Sequence, residues 1–331
     1  MKLDTRTASS AADATPAETM RDILERNGME RRAFLRYCGM ITAVLALPQL
    51  PYREQVAAAL STTPRLPLLW LNGQDCNGNI EALIRSTSPT PTQLLLDHLA
   101  VNYVELLMSS AGGAAEKSKA DTITAGGYVL VVEGGIPTGA AGAYCTVGGR
   151  AFTDIVREAA AKAVKVISVG TCSSWGGVPA ARGGVTGAVD LQTFLGPTKP
   201  VLRLPGCPVN PVNLVAALVN YITYKKWPET NSQGLPYFAY GEEIHDDCPR
   251  KDYYEQGKFV LAWGDAGHKA GWCLRKMGCR GPETKGNCQK KKYNGATSYP
   301  IASGAPCYGC VSKGFWDVAG GLIQPLPVIN D

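Results

Sequence analysis

One histidine and six cysteines fall within a single stretch: His245, Cys248, Cys273, Cys279, Cys288, Cys307 and Cys310. They are more than half of the chain's eleven cysteines. Soft thiolates select zinc, copper(I) or iron–sulfur clusters. Structural zinc takes four ligands per ion, and seven ligands do not divide into two such sites. They do divide into four plus three, which suits a [4Fe–4S] and a [3Fe–4S] cluster. An odd cysteine count leaves one thiol over in any pure disulfide framework, and a chain of 331 residues does not need such staples. The segments between these ligands are rich in Gly, Lys and Pro and poor in apolar periodicity, so a bound group is expected to organise them. Trp272, Met277, Phe315 and Trp316 are placed to wall such a group from water, or to serve as ordinary core.

Three more cysteines depend on the elements before them. Apolar runs at 66–71, 128–132, 164–169 and 201–204 read as buried strands, with a further short strand at 101–107. Helical patterns at 94–99, 152–163 and 213–224 alternate with them. That alternation predicts an α/β fold with a parallel sheet and helices on both faces. Sites in such sheets form outside the carboxyl ends of the strands. Cys76 follows the first strand, and Cys172 and Cys207 end two others in Gly-rich loops, so the three are expected to converge. After position 228 turn residues dominate, which marks a second domain over 229–331.

Hydrophobic residues make up 45% of the chain and the net charge is +5. No aromatic–basic interleaving suggests nucleic acid. The run Lys290-Lys291-Lys292 reads as a solvated face or a docking surface for an acidic redox partner. Near the N-terminus, Arg31-Arg32-Ala33-Phe34-Leu35 precedes a weakly apolar run at 37–50 and the string Ala57-Ala58-Ala59. This resembles a twin-arginine (Tat) export signal over residues 1–60, a route taken by proteins already folded around a cofactor. The other reading is an amphipathic helix that stays attached. The run is too short to span a membrane comfortably, and no C-terminal anchor helix is expected. Membrane association is therefore expected only through a partner. Cys38, His98 and His268 match no ligand position.

The blocks Asn72-Gly73-Gln74-Asp75-Cys76, Gly170-Thr171-Cys172, Pro205-Gly206-Cys207-Pro208, His245-Asp246-Asp247-Cys248, Cys273-Leu274-Arg275-Lys276-Met277-Gly278-Cys279 and Cys307-Tyr308-Gly309-Cys310 resemble the small subunit of group 1 respiratory [NiFe] hydrogenases. The resemblance covers the chain after about residue 65. It implies a flavodoxin-like, doubly wound domain over 61–228 that carries a proximal [4Fe–4S] cluster on Cys76, Cys172 and Cys207. It implies a loop-rich C-terminal domain with a distal [4Fe–4S] cluster on His245, Cys248, Cys273 and Cys279. A medial [3Fe–4S] cluster would take Cys288, Cys307 and Cys310, with Pro300 near its vacant corner. It also implies a large-subunit partner that holds the Ni–Fe centre, in a heterodimer or a dimer of heterodimers, and a periplasmic location. The acceptor would be a cytochrome or another carrier. This chain lacks the paired motifs of the Ni–Fe site, so it would be the electron-transfer subunit of the enzyme and carry no catalytic residue.

The sequence departs from the family pattern at one ligand. The expected Cys-x2-Cys reads Cys76-Asn77-Gly78-Asn79 here. The fourth proximal ligand is then Asn79, a carboxylate (Asp75 or Glu105), Cys145, or none, with an oxygen ligand favoured. Gly78 and Gly177 stand where six-cysteine proximal clusters carry their extra cysteines, which rules out that type. Two rivals remain: a complex I-like iron–sulfur subunit, which has no place for the 245–310 array, and a secreted, disulfide- or zinc-stabilised binding protein.

Overall fold

The computed structural model describes residues 31–45, 49–62, 65–86, 90 and 99–318. Its main sheet has five strands: β1 (Leu66–Asn72), β2 (Leu99–Tyr103), β3 (Val129–Glu133), β4 (Lys165–Val169) and β5 (Val201–Leu204). They lie in the order β2-β1-β3-β4-β5, and every pairing is parallel. This is the 2-1-3-4-5 order of flavodoxin-like sheets. The longer helices are α1 (Arg31–Val44), α2 (Gln49–Thr62), α3 (Gly78–Ile84), α4 (Gly112–Ala125), α5 (Phe152–Lys162), α6 (Gly170–Trp175) and α7 (Pro211–Tyr224).

Parallel strands buried on both faces need apolar side chains at every position. Val129-Leu130-Val131-Val132 meets that need, and all four are fully buried. Leu69, Leu71, Leu130, Val132 and Val166 share a core with α4 and α5. On α5 the buried residues Phe152, Ile155, Val156, Ala159 and Ala160 follow helical spacing and form one apolar stripe. Tyr128 donates its hydroxyl to the Ala159 carbonyl at 2.6 Å, tying β3 to that helix. Leu68, Trp70, Val131, Ile167 and Val169 face the other way, onto α3 and α7.

Asn210 caps α7 by accepting from the Val212 N–H at 3.1 Å, and Pro211 starts the helix without a lost donor. The helix is apolar nearly all round, which demands cover on its outer side too. Helices α1 and α2 supply it. Phe34, Cys38, Ile41, Val44, Leu45 and Val56 are buried in the same core. Tyr224 of α7 donates to Gln55 at 3.3 Å and meets the Tyr52 ring edge-on. The segment read as an export leader is thus helical in its described part and packed on the sheet domain. No described helix is long and apolar enough to cross a membrane.

Two expectations are corrected. Leu99, read as the end of a helix, opens β2, while positions 91–98 lie outside the described residues. The strand expected at 101–107 ends at Tyr103, because the Val104 carbonyl accepts from the N–H groups of Leu107 and Met108 and turns the chain.

Beyond residue 229 the described helices have three to five residues each. The core there is small: Ile244, Val260, Leu274, Tyr299 and Ile301 with Cys279, Cys288 and Cys307. Polar stitches fasten this part to the sheet domain. The amides of Asn213 and Asn287 are buried and exchange two hydrogen bonds, at 3.2 and 2.8 Å. Tyr240 donates to the Pro205 carbonyl at 2.7 Å, and Trp175 to the Val311 carbonyl at 3.0 Å. The Thr171 hydroxyl donates to the Cys310 carbonyl.

Candidate metal centres

The first group of thiols lies outside the carboxyl ends of β1, β4 and β5. Gly170, at φ +81°, turns β4 directly into α6 and sets Cys172 in its first turn. Cys207 follows β5 in a loop whose Cys207–Pro208 bond is cis. Burial pushes the Cys172 thiol up to about 11; the Val178 N–H offsets this, and Cys76, Asp75 and Glu133 add to it. Burial also pushes Cys207 up to about 12, followed by Cys310, Cys172 and Cys76. The charges of the three strand-end cysteines act on one another, and that of Cys310 joins them from the C-terminal part. The two glycines that exclude extra cysteines are packed against the thiols. A Cβ on Gly177, which sits at φ +55°, would lie 2.6 Å from the Cys172 sulfur, and one on Gly78 would lie 3.1 Å from that of Cys76.

Asn79 is buried, and every polar group it has is engaged. Its backbone N–H and its Nδ2 donate to Glu133 Oε1 at 3.0 and 2.9 Å, and its Oδ1 accepts from the Val209 N–H at 2.8 Å. Glu133 Oε2 accepts from Trp70 Nε1 at 3.1 Å and Asn72 Nδ2 at 3.3 Å. Of the other fourth-ligand candidates, Asp75 Oδ1 accepts from the Asn77 N–H at 2.8 Å. Glu105 is exposed and accepts from the Tyr103 hydroxyl at 3.2 Å. Cys145 is half-buried, and its thiol is raised by burial and then by Glu105 and Asp75.

Burial, then the charge of Asp75, pushes the Glu133 carboxyl up to about 7, and the Asn79 donors offset part of this. The folded chain thus keeps a proton that the unfolded chain releases near 4.5. Stability then falls as pH rises from about 4.5 to about 7 and levels off above, a loss of about 3 kcal/mol. Urea unfolding of the metal-free chain followed across that window should show this slope, and Glu133→Gln should flatten it. An equal slope in the variant would assign the effect elsewhere.

The outer thiols form two groups. His245, Cys248, Cys273 and Cys279 line one cavity together with Leu274, Arg275 and Ile301. Backbone N–H groups point at two of the sulfurs, Arg250 at Cys248 (3.4 Å) and Cys307 at Cys279 (3.3 Å). The His245 ring meets Tyr254 edge-on at 4.8 Å. Cys288, Cys307 and Cys310 line a second cavity of about 940 Å³, with Tyr299, Pro300 and Trp316 on its wall. Cys207 opens onto the same space. Burial raises Cys273 to about 11 and Cys288 to about 12, and holds Cys307 higher still. Such thiols stay protonated at neutral pH unless metal displaces the proton. An iron–sulfur cluster, which takes each thiolate on a separate iron, suits a donor set of this kind.

Phe315 is buried, while Trp272 and Met277 pack partly buried against the C-terminal core, so the expected wall residues also serve as core. His268 accepts from the Gly264 N–H at 3.1 Å and stacks edge-on with Trp263, a loop-fixing role. Cys38 is fully buried in α1, and His98 lies outside the described residues. Lys290 pairs with Glu242 and, at 3.0 Å, with Asp247, so the lysine run is not simply a solvated face. Two residues escaped the sequence reading. Glu133 had a visible signal, an acid closing an otherwise apolar strand. Arg275, almost fully buried and bidentate to Glu283 at 2.6 and 2.8 Å, had none.

Comparison with known proteins bears on both halves of the chain. Residues 240–322 match the family model for the C-terminal region of the NiFe/NiFeSe hydrogenase small subunit. Residues 76–221 match that of the NADH ubiquinone oxidoreductase 20 kDa subunit. The chain is 40% identical over 295 residues to the Hydrogenase-2 small chain of Escherichia coli K12, covering 88% of this chain and 79% of that one. It is 39% identical to the uptake hydrogenase small subunit of Azotobacter vinelandii over 94% of this chain and 87% of that one. Among solved structures, the [NiFeSe]-hydrogenase of Desulfomicrobium baculatum superposes with a TM-score of 0.74 at 29% identity, over 80% of this chain and 100% of that one. The actinobacterial-type NiFe-hydrogenase of Ralstonia eutropha H16 gives 0.72 at 25% identity, over 80% and 83%.

Proposed function

This chain belongs to the family of [NiFe] hydrogenase small subunits, and we propose that it carries electrons from the partner large subunit's Ni–Fe site to an external acceptor through three iron–sulfur clusters. Cys76, Cys172 and Cys207 would hold the proximal cluster, Cys288, Cys307 and Cys310 a medial [3Fe–4S] cluster, and His245, Cys248, Cys273 and Cys279 a distal [4Fe–4S] cluster. The clusters supply one-electron relay chemistry, while the chain supplies placement and tuning. The observation that carries this reading is the division of the outer ligands, four around one cavity and three around another. The N–H groups of Arg250 and Cys307 stabilise negative charge on Cys248 and Cys279, one of the levers that set reduction potential. His245 is half-buried beside the exposed Asp246 and Asp247, which suits the end that meets the acceptor, a cytochrome or similar carrier.

The strand-end thiols suit the end that meets the large subunit. Leu106, Tyr144 and Val185 in loops, and Val178 in the short helix Gly177–Ala180, are exposed apolar side chains on that part of the fold. An exposed apolar surface of this kind fits a large heterodimer interface. Arg31-Arg32 and the apolar stretch after them support export of the folded complex by the twin-arginine route to the periplasm. The loss of long elements after residue 228 supports a domain division there. Iron analysis of the anaerobically purified heterodimer should give about eleven irons per small subunit beyond the Ni–Fe site. A count near zero would refute the reading.

A further inference from the structure

We propose, on the cluster reading above, that Asp75 supplies the fourth ligand of the proximal cluster through Oδ2. Asn79, which occupies the expected ligand position, is a positioning residue.

Asn79 has nothing to give a metal. An amide coordinates iron through its oxygen, and Asn79 Oδ1 is held by the Val209 N–H at 2.8 Å. Its nitrogen end faces Glu133. Turning the oxygen away would strand a buried backbone donor and a buried amide, each costing about 1–3 kcal/mol. The amide fills the space left by the missing side chain of Gly170, where a Cβ would stand 2.3 Å from its Nδ2. Its bonds join α3 to β3 and to the loop after Cys207. Asn79 thus brackets the segments that carry Cys76 and Cys207.

Glu133 is equally committed, with both oxygens accepting two hydrogen bonds each. Glu105 is exposed, and Cys145 packs against the apolar core that the sheet shares with α4 and α5. Asp75 differs from all of these. Its Oδ1 is fixed by the Asn77 N–H, while its Oδ2 is buried without a well-formed hydrogen bond. A buried anionic oxygen is costly unless something pairs with it. Asp75 adjoins Cys76, and its charge acts on Cys172 and Glu133. The Asn72 side chain lies beside the carboxylate without closing a full hydrogen bond to Oδ2, so one oxygen is anchored while the other keeps a lone pair that a metal ion can take.

The test uses the anaerobically purified heterodimer carrying Asp75→Ala, Asp75→Cys or Asn79→Ala, with iron analysis, EPR and potentiometry. Asp75→Ala should lose about one iron per small subunit and add a second three-iron signal. Asp75→Cys should keep the iron and shift the proximal midpoint potential. Asn79→Ala should lower thermal stability and keep the wild-type iron count. If that variant does not fold, wild-type protein labelled with ¹³C-carboxyl aspartate provides the check, as a ¹³C hyperfine coupling at the reduced proximal cluster. The proposal is overturned if Asp75→Ala keeps the full iron count with an unchanged spectrum and potential, if Asn79→Ala alone loses the iron, or if the labelled protein shows no coupling. Wild-type protein without iron would instead overturn the cluster reading itself.

Discussion

Stripping iron from the purified complex should unfold residues 241–318 and leave the parallel sheet in place. The five strands rest on two apolar cores that contain none of the ten candidate ligands except the margin at Cys310. The C-terminal part has a core in which three of eight buried members are cysteines, and helices of no more than five residues. Helices so short are not stable alone. Removing metal leaves protonated thiols on the wall of a cavity of about 940 Å³. Metal binding to a site that does not preform is folding free energy, on the order of 10 kcal/mol in small metal domains. Hydrogen exchange followed by mass spectrometry should show 241–318 losing protection while 129–133 and 165–169 keep theirs. Equal protection with and without iron would mean that the polypeptide alone orders this segment. Loading should also release protons, because thiols as high as about 11 and about 12 must ionise to bind.

Glu283→Ala should destabilise the loaded complex by about 3–5 kcal/mol. The Arg275 side chain is 2% exposed, and its guanidinium donates twice to Glu283 and once, at 2.9 Å, to the Cys279 carbonyl. Removing the carboxylate takes the ionic partner from a buried guanidinium, which costs far more than the pair contributes. Glu283 itself is 44% exposed, so the reverse truncation, Arg275→Met, leaves an anion that water can reach. It should cost less, and the double variant less than Glu283→Ala alone. Because Arg275 holds the carbonyl of Cys279, a proposed ligand of the distal cluster, Glu283→Ala should also shift the distal signal in EPR. A loss under about 1 kcal/mol with an unchanged signal would show that solvent screens the pair.

What could be read from the sequence follows from how local each signal is. The strand at 129–133 was legible because a strand buried on both faces announces itself within its own residues. The division of the outer donors into four and three could be read because thiol chemistry and spacing constrain the count without any structure. Helix α7 was legible as a helix, but its apolarity all round says only that something covers it, not that α1 and α2 do. Leu99 went astray because an apolar residue beside Leu94-Leu95-Leu96 fits either period. The role of Asn79 was out of reach for another reason. Its partners, Glu133 and Val209, are 54 and 130 positions away, and only the fold shows that its oxygen is taken.

The contacts that bring Cys310 against the strand-end thiols also set a schedule. Cys76 leaves the ribosome early, yet the wall that Cys310 and Val311 complete around Thr171, Trp175 and Cys207 arrives 234 residues later than Cys76, counting from 76 to 310. At about 5–20 residues per second that is a wait of roughly 10–50 seconds. The strand-end cysteines are therefore the first of the proposed ligands to be made and among the last to be enclosed, so on the cluster reading their site stays accessible to incoming iron until the chain is nearly finished.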